Sequence, residues 1–163
     1  MTQMLPLKYL GYSVVFQEVP DEISLAINVS GCPVKCKDCH SKYLWEYKGN
    51  YLKQDIYALL GRYRDYVSCI CFMGGNQNPT DLEYCCNIVH DAGLKTCLYT
   101  GYSLSDKLKK FALKNLDYIK VGEYRSDSGG LSSRTTNQRM YKIEKGELID
   151  ITETFWKFKE RIM

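Results

Sequence analysis

Residues 23–30 read Ile-Ser-Leu-Ala-Ile-Asn-Val-Ser, an apolar–polar alternation rich in β-branched side chains that predicts a strand ending at Gly31. The period then changes. Over residues 51–66 the apolar positions are Leu52, Ile56, Leu59, Leu60 and Tyr63, the spacing of one helix face. Residues 67–72 form a short, nearly continuous apolar run, as expected of a buried parallel strand, and stop at the turn signal Met73-Gly74-Gly75-Asn76. Asn78 and Pro79 open a second helix, with Leu82, Cys85, Cys86 and Val89 facing inward and its end near Gly93. A third strand covers residues 96–100 and closes at Gly101. Ser103 or Ser105 caps a helix through Leu108 to Leu113, and residues 118–121 form a fourth strand closed by Gly122. Beyond Ser126 the pattern is less regular, with a hairpin expected around Glu144, Lys145 and Gly146 and a terminal helix over residues 154–161.

Strands and helices alternating through short connections predict an α/β fold built of βαβ units, a partial (β/α) barrel with a mostly parallel sheet. Ligand sites in such sheets form at the carboxyl ends of the strands. The unusual residues fall there: a cysteine loop after the first of these strands, Gly74, Gly75 and Asn76 after the second, Thr100 and Gly101 after the third, Gly122 and Glu123 after the fourth.

With 163 residues, no repeat and no linker, residues 1–163 are read as one domain. The net charge of +3 is spread without a basic stripe, so nothing suggests nucleic-acid binding. No apolar run approaches the roughly 20 residues of a membrane span, and the N-terminus does not read as a signal peptide. The expected setting is a reducing cytoplasm, where eight cysteines call for metal ligation, catalysis or burial rather than disulfides.

Their spacing separates these cases. Three lie in Cys32-Pro33-Val34-Lys35-Cys36-Lys37-Asp38-Cys39, whereas Cys69, Cys71, Cys85, Cys86 and Cys97 sit within apolar periodic segments, where a free cysteine acts as a small hydrophobe. Three thiolates on a four-iron cubane leave one iron open to a substrate. A closed cluster or a structural zinc would need a fourth ligand. His40 is too near Cys39 in sequence to chelate well, and His90 lies within a helix, so zinc stays as the alternative.

The Cys-x3-Cys-x2-Cys spacing resembles the signature of the radical S-adenosylmethionine superfamily. That resemblance implies a [4Fe–4S] cluster on Cys32, Cys36 and Cys39, whose open iron chelates S-adenosylmethionine and whose electron cleaves it to methionine and a 5′-deoxyadenosyl radical. The protein orients these groups, with no catalytic side chain called for beyond the cluster ligands. Gly74 and Gly75 stand where the superfamily has a Gly-Gly-Glu-type segment holding the cofactor's ammonium group; Asn76 replaces the acid and keeps only a neutral acceptor.

Within the superfamily the chain resembles activating proteins of anaerobic ribonucleoside-triphosphate reductase. The likeness runs through residues 28–32, the cysteine loop, Trp45, Gly74 and Gly75, Tyr99 to Tyr102, Asp117 to Ile119, and Thr135 to Arg139. It implies a glycyl radical made on a partner reductase or another glycyl-radical enzyme, and an electron donor such as flavodoxin or ferredoxin. It also makes Asp38, Cys39 and His40 candidate cofactor contacts with Gly74, Gly75 and Asn76. Asp38 and His40 depart from the glycine and aromatic common around the third cysteine, and Val121 stands where an aspartate is frequent. The shortness of the chain favours a protein substrate presented to an open face. A small-molecule substrate and a non-catalytic metal-binding module are the competing readings. Trp45 also reads as a packing anchor, and Asn137 and Gln138 as an ordinary turn. The fourteen tyrosines read either as a partner surface or as a compositional habit.

Overall fold

The computed structural model describes residues 4–32 and 42–162, with side chains through residue 157. The elements in chain order are β1 (Lys8–Val15), β2 (Ser24–Val29), a 3-10 turn (Lys42–Trp45), β3 (Asn50–Tyr51), α1 (Leu52–Tyr63), β4 (Cys69–Met73), α2 (Pro79–Asp91), β5 (Lys95–Tyr99), α3 (Asp106–Asn115), β6 (Tyr118–Val121), β7 (Arg139–Glu144), β8 (Glu147–Asp150) and α4 (Glu153–Ile162). Local chemistry sets the helix starts. Asn78 accepts from the Asp81 amide at 3.1 Å with Pro79 in the first turn, and Ser105 accepts from the Leu108 amide at 3.2 Å.

All eight strands lie in one open sheet of order β3-β1-β2-β4-β5-β6-β7-β8. β2, β4, β5 and β6 run parallel, and β1, β3, β7 and β8 are antiparallel additions at the two sides. The sheet is therefore mixed rather than mostly parallel, and β3 and β8 are its open edges. Parallel neighbours need a helical crossover, which only the central strands possess; the flanking strands are joined by short or irregular connections that let the chain turn back.

β1 has no counterpart in the sequence reading. Its pairing with β2 shifts between Tyr9↔Val29 and Tyr12↔Ile27, a one-residue bulge that breaks the alternation a half-buried strand would show.

The two faces of the sheet differ. Leu25, Ile27, Val29, Ile70, Phe72, Leu98, Ile119 and Val121 pack under the inner faces of α1, α2 and α3 in the main core. The opposite face carries Cys69, Cys71, Cys97, Tyr118 and Met140 in a smaller cluster, with Val19 packed in and Leu131, Ile151 and Phe155 against it. All five cysteines outside the loop are fully buried. Burial pushes the Cys85 thiol up to about 12 and raises Cys69, Cys86 and Cys97 as well, so these groups are neutral thiols. At the amino edge of the strands, Lys95 pairs with buried Glu22 at 2.8 Å and His90 meets Asp117 at 3.0 Å, polar staples at the stability end of the sheet. No helix among the described residues is long and apolar enough to cross a membrane.

Candidate functional site

Because β2, β4, β5 and β6 run the same way, their exits share one edge, and a continuous hydrogen-bond chain crosses it. Cys32 follows β2, its amide donating to the Leu44 carbonyl at 3.0 Å and its thiol free and half-buried. Two residues earlier, the Ser30 hydroxyl donates to the Lys48 carbonyl at 2.6 Å and holds the far side of the cysteine segment to the β2 exit. The Ser30 carbonyl accepts from Gln77 Nε2 at 3.1 Å, and Gln77 Oε1 accepts from the Gly75 amide at 3.1 Å. One side chain thereby ties the exits of β2 and β4 together.

The Gly74-Gly75 turn needs its glycines. Their φ angles are +104° and +123°, and a Cβ on Gly75 would lie 3.3 Å from Leu82 Cδ1 and 3.5 Å from Leu7 Cδ1. The turn presents Asn76, whose Oδ1 accepts from the Thr100 hydroxyl at 3.1 Å; that hydroxyl accepts in turn from the Tyr102 amide at 3.2 Å. The Tyr102 carbonyl then accepts from the Gly122 amide at 2.9 Å. Further on, Gln138 Nε2 donates to the Gly122 carbonyl at 3.3 Å and Asn137 Nδ2 to the Glu123 carbonyl at 2.9 Å.

Below this edge, Asn28, Met73, Tyr99 and Lys120 are register partners across four strands. Lys120 is a cation in a buried strand, only 8% exposed. Its ammonium donates to the carbonyls of Thr100 and Gly122, both at 3.1 Å, and lies 5.4 Å from the Tyr99 ring centre. The Tyr99 hydroxyl donates to the Glu18 carbonyl, and burial raises its pKa well above the ordinary phenol value. On the helix side of the turn, a cavity of about 520 Å³ opens between the starts of α2 and α3, lined by Asn76, Tyr102, Lys107 and Phe111 among others.

The structure thus gathers Cys32, Gly74, Gly75, Asn76, Thr100, Gly122, Asn137 and Gln138 at one edge. Cys36, Asp38, Cys39 and His40 lie outside the described residues. Gln77 and Lys120 were missed by the sequence reading. Lys120 had a signal, a charge two residues from Tyr118 in an otherwise apolar run; Gln77 had none.

The donor chemistry fits an iron–sulfur cluster. Cys32 is a free thiol at the carboxyl edge, and the indole N–H of Trp45, beside Leu44, is buried without a partner. His90 is no fourth ligand, because it sits at the opposite edge of the sheet against Asp117 and Thr96, 3.0 and 3.1 Å away. Among the described residues no group of three His, Cys, Asp or Glu side chains could hold a metal ion, so the buried cysteines form no second site.

A family model described as a 4Fe-4S single cluster domain matches residues 23–143. No curated protein and no solved structure matches the chain.

Proposed function

Since the chain belongs to the 4Fe-4S single cluster domain family, we propose that it is a radical S-adenosylmethionine activase with its cluster on Cys32, Cys36 and Cys39. Its substrate in this reading is a glycine of anaerobic ribonucleoside-triphosphate reductase or of another glycyl-radical enzyme. What supports the reading is the hydrogen-bonded edge that links the Ser30 carbonyl, two residues before Cys32, through Gln77 to Gly75, with Asn76 next in the chain bonded to Thr100. The four parallel strands would be the wall of a partial (β/α) barrel. Cys32, Cys36 and Cys39 would hold the cluster, which would supply the one electron that breaks the sulfur–C5′ bond of S-adenosylmethionine to give methionine and a 5′-deoxyadenosyl radical.

The chain's own residues bind and orient. Asn76 Oδ1 has one lone pair engaged by Thr100 and another for the cofactor's ammonium group. Gly74 and Gly75 let backbone approach the same group closely. Asp38 and His40 flank the third cysteine as further cofactor contacts. Exposed Tyr43, Tyr51 and Tyr102 lie after the cysteine segment, at the start of α1 and beyond β5, a rim suited to a protein substrate.

The test is anaerobic reconstitution with iron and sulfide, dithionite reduction, and assay of 5′-deoxyadenosine from S-adenosylmethionine. We expect product from the wild-type chain and none from Cys36→Ala. A chain that binds about four irons, as one cubane requires, yet yields no product with candidate reductases would sink the enzymatic reading in favour of a non-catalytic module.

A further inference from the structure

A strand at the margin of a sheet turns unpaired N–H and C=O groups outward, and proteins blunt such margins with charge, proline or brevity. The two margins of this sheet differ in that respect. β8 carries exposed Glu147 and Asp150, so that margin ends on charge. At the other margin β3 is two residues long and pairs only with Lys8 and Tyr9 of β1. β1 runs on to Val15, and among the described residues nothing pairs with it on that side beyond Tyr9.

The uncovered stretch reads Leu10-Gly11-Tyr12-Ser13-Val14-Val15-Phe16, without a charge or a proline and rich in aromatic and β-branched residues. Ser13 and Val14 are exposed, and Phe16 is 68% exposed. Apolar surface continues around its end. Exposed Ile23 follows the Val15↔Ser24 pair, and its carbonyl accepts from the Ser68 amide at 2.8 Å, two residues after exposed Tyr66. In a monomer such an uncharged open edge is a liability, so its retention calls for an occupant.

We propose that β1 pairs antiparallel with β1 of a second copy of this chain, joining the two sheets across a two-fold axis at Ser13. The stretch bears no charge, so pairing it with itself opposes no like charges. A two-fold axis normal to the sheet keeps each face on its own side. Opposed residues must then share a face, so the axis passes through a residue rather than between two. Centring on Tyr12 would set Val15 of the second copy against Tyr9, a place that Asn50 already holds. Centring on Val14 forfeits Leu10 and Gly11. Centring on Ser13 uses all of residues 10–16 and stops short of β3. Tyr12 then faces Val14 of the second copy, an aromatic–β-branched pair on the helix side of the sheet, where Tyr12 already meets the Tyr63 ring edge-on at 5.6 Å. The inference goes beyond the cluster reading and does not rest on it.

The experiment is sedimentation velocity on the anaerobically reconstituted full-length chain, as wild type, Ser13→Lys, Ser13→Glu and an equimolar mixture of the two variants. Wild type should be a dimer that dissociates on dilution. Each variant alone sets like charges face to face and should raise the dissociation constant about fivefold. The mixture, in which lysine meets glutamate, should dimerise more tightly than either variant alone. A monomeric wild type overturns the inference, as does an open-ended series of larger species. So does a mixture of folded variants that dimerises no better than its components. If the variants fail to fold, hydrogen exchange on the wild type decides. Amides of residues 10–16 should exchange faster as dilution releases the dimer; unchanged exchange there, or protection confined to another segment, overturns the proposal. A chain that takes up no iron yet dimerises through these residues upholds this inference while the cluster reading falls.

Discussion

Three glycine-to-alanine substitutions, one of them at the rim of the site, separate backbone strain from steric contact. Gly122 leaves β6 with φ +104°, and a Cβ there would lie 3.1 Å from Gln138 Cα and 3.2 Å from the Asn137 carbonyl oxygen. Both are backbone atoms, held in place because the Gly122 carbonyl accepts from Lys120 and Gln138. Gly122→Ala should cost about 1–3 kcal/mol for the positive φ and about 1–3 kcal/mol for the contact, together about 4 kcal/mol. Gly93→Ala shares the positive φ (+81°) but meets nothing within 4 Å, so it should cost about 1–2 kcal/mol. Gly61→Ala, inside α1 and equally free of contacts, should gain about 1 kcal/mol. With a urea slope of about 2 kcal/mol/M, the midpoints should move by about −2, −0.5 to −1 and +0.5 M respectively. Anaerobic urea unfolding of the three variants beside the wild type measures this. A Gly122→Ala midpoint no lower than that of Gly93→Ala would refute the tight packing of the β6 exit against residues 137 and 138.

Other expectations follow from the buried thiols and the turn after β4. Unfolded cysteines release their protons near pH 9.0, whereas folded Cys85 holds its own to about 12, so the folded chain binds more protons between those values and stability falls as pH rises. Each thiol of this kind should contribute about 1.4 kcal/mol per pH unit above 9; urea midpoints at pH 8, 9 and 10 test it, and a flat profile contradicts it. Cys85→Ala should make that slope shallower while leaving iron content and S-adenosylmethionine cleavage intact, and lost cluster iron would show that Cys85 does more than fill the core. Asn76→Asp keeps the acceptor for Thr100 and adds a charge toward an ammonium group. A charge-assisted bond gaining about 1 kcal/mol over a neutral one should tighten S-adenosylmethionine binding about fivefold in calorimetry; weaker binding would count against Asn76 as the ammonium contact.

Much of the architecture was legible because it rests on local chemistry. The helix starts at Asn78-Pro79 and Ser105 follow from capping, the strands of residues 69–73 and 118–121 from short apolar runs, and the β7–β8 hairpin from Lys145-Gly146. β1 was not legible, since its bulge removes the alternation that marks a strand and its pairing is with distant residues. The mixed character of the sheet was hidden for a related reason: the turn residues mark the β7–β8 hairpin, but nothing local shows that β1 and β7 join the parallel strands antiparallel.

The site divides along the same line. Its candidate ligands and turns were set by the chain alone: the cysteine spacing, the paired glycines and the positions of these segments after strands are one-dimensional facts. Three things waited on the tertiary structure. Gln77 could be recognised only once it bridged two strand exits. Lys120 gained meaning only when register placed it level with Asn28, Met73 and Tyr99. Trp45 became a donor without an acceptor only when folding buried its nitrogen. Spacing along a chain reports what residues can ligate or turn, because those are properties of neighbours; which polar atoms meet, and which are left without a partner, depends on segments tens of residues apart.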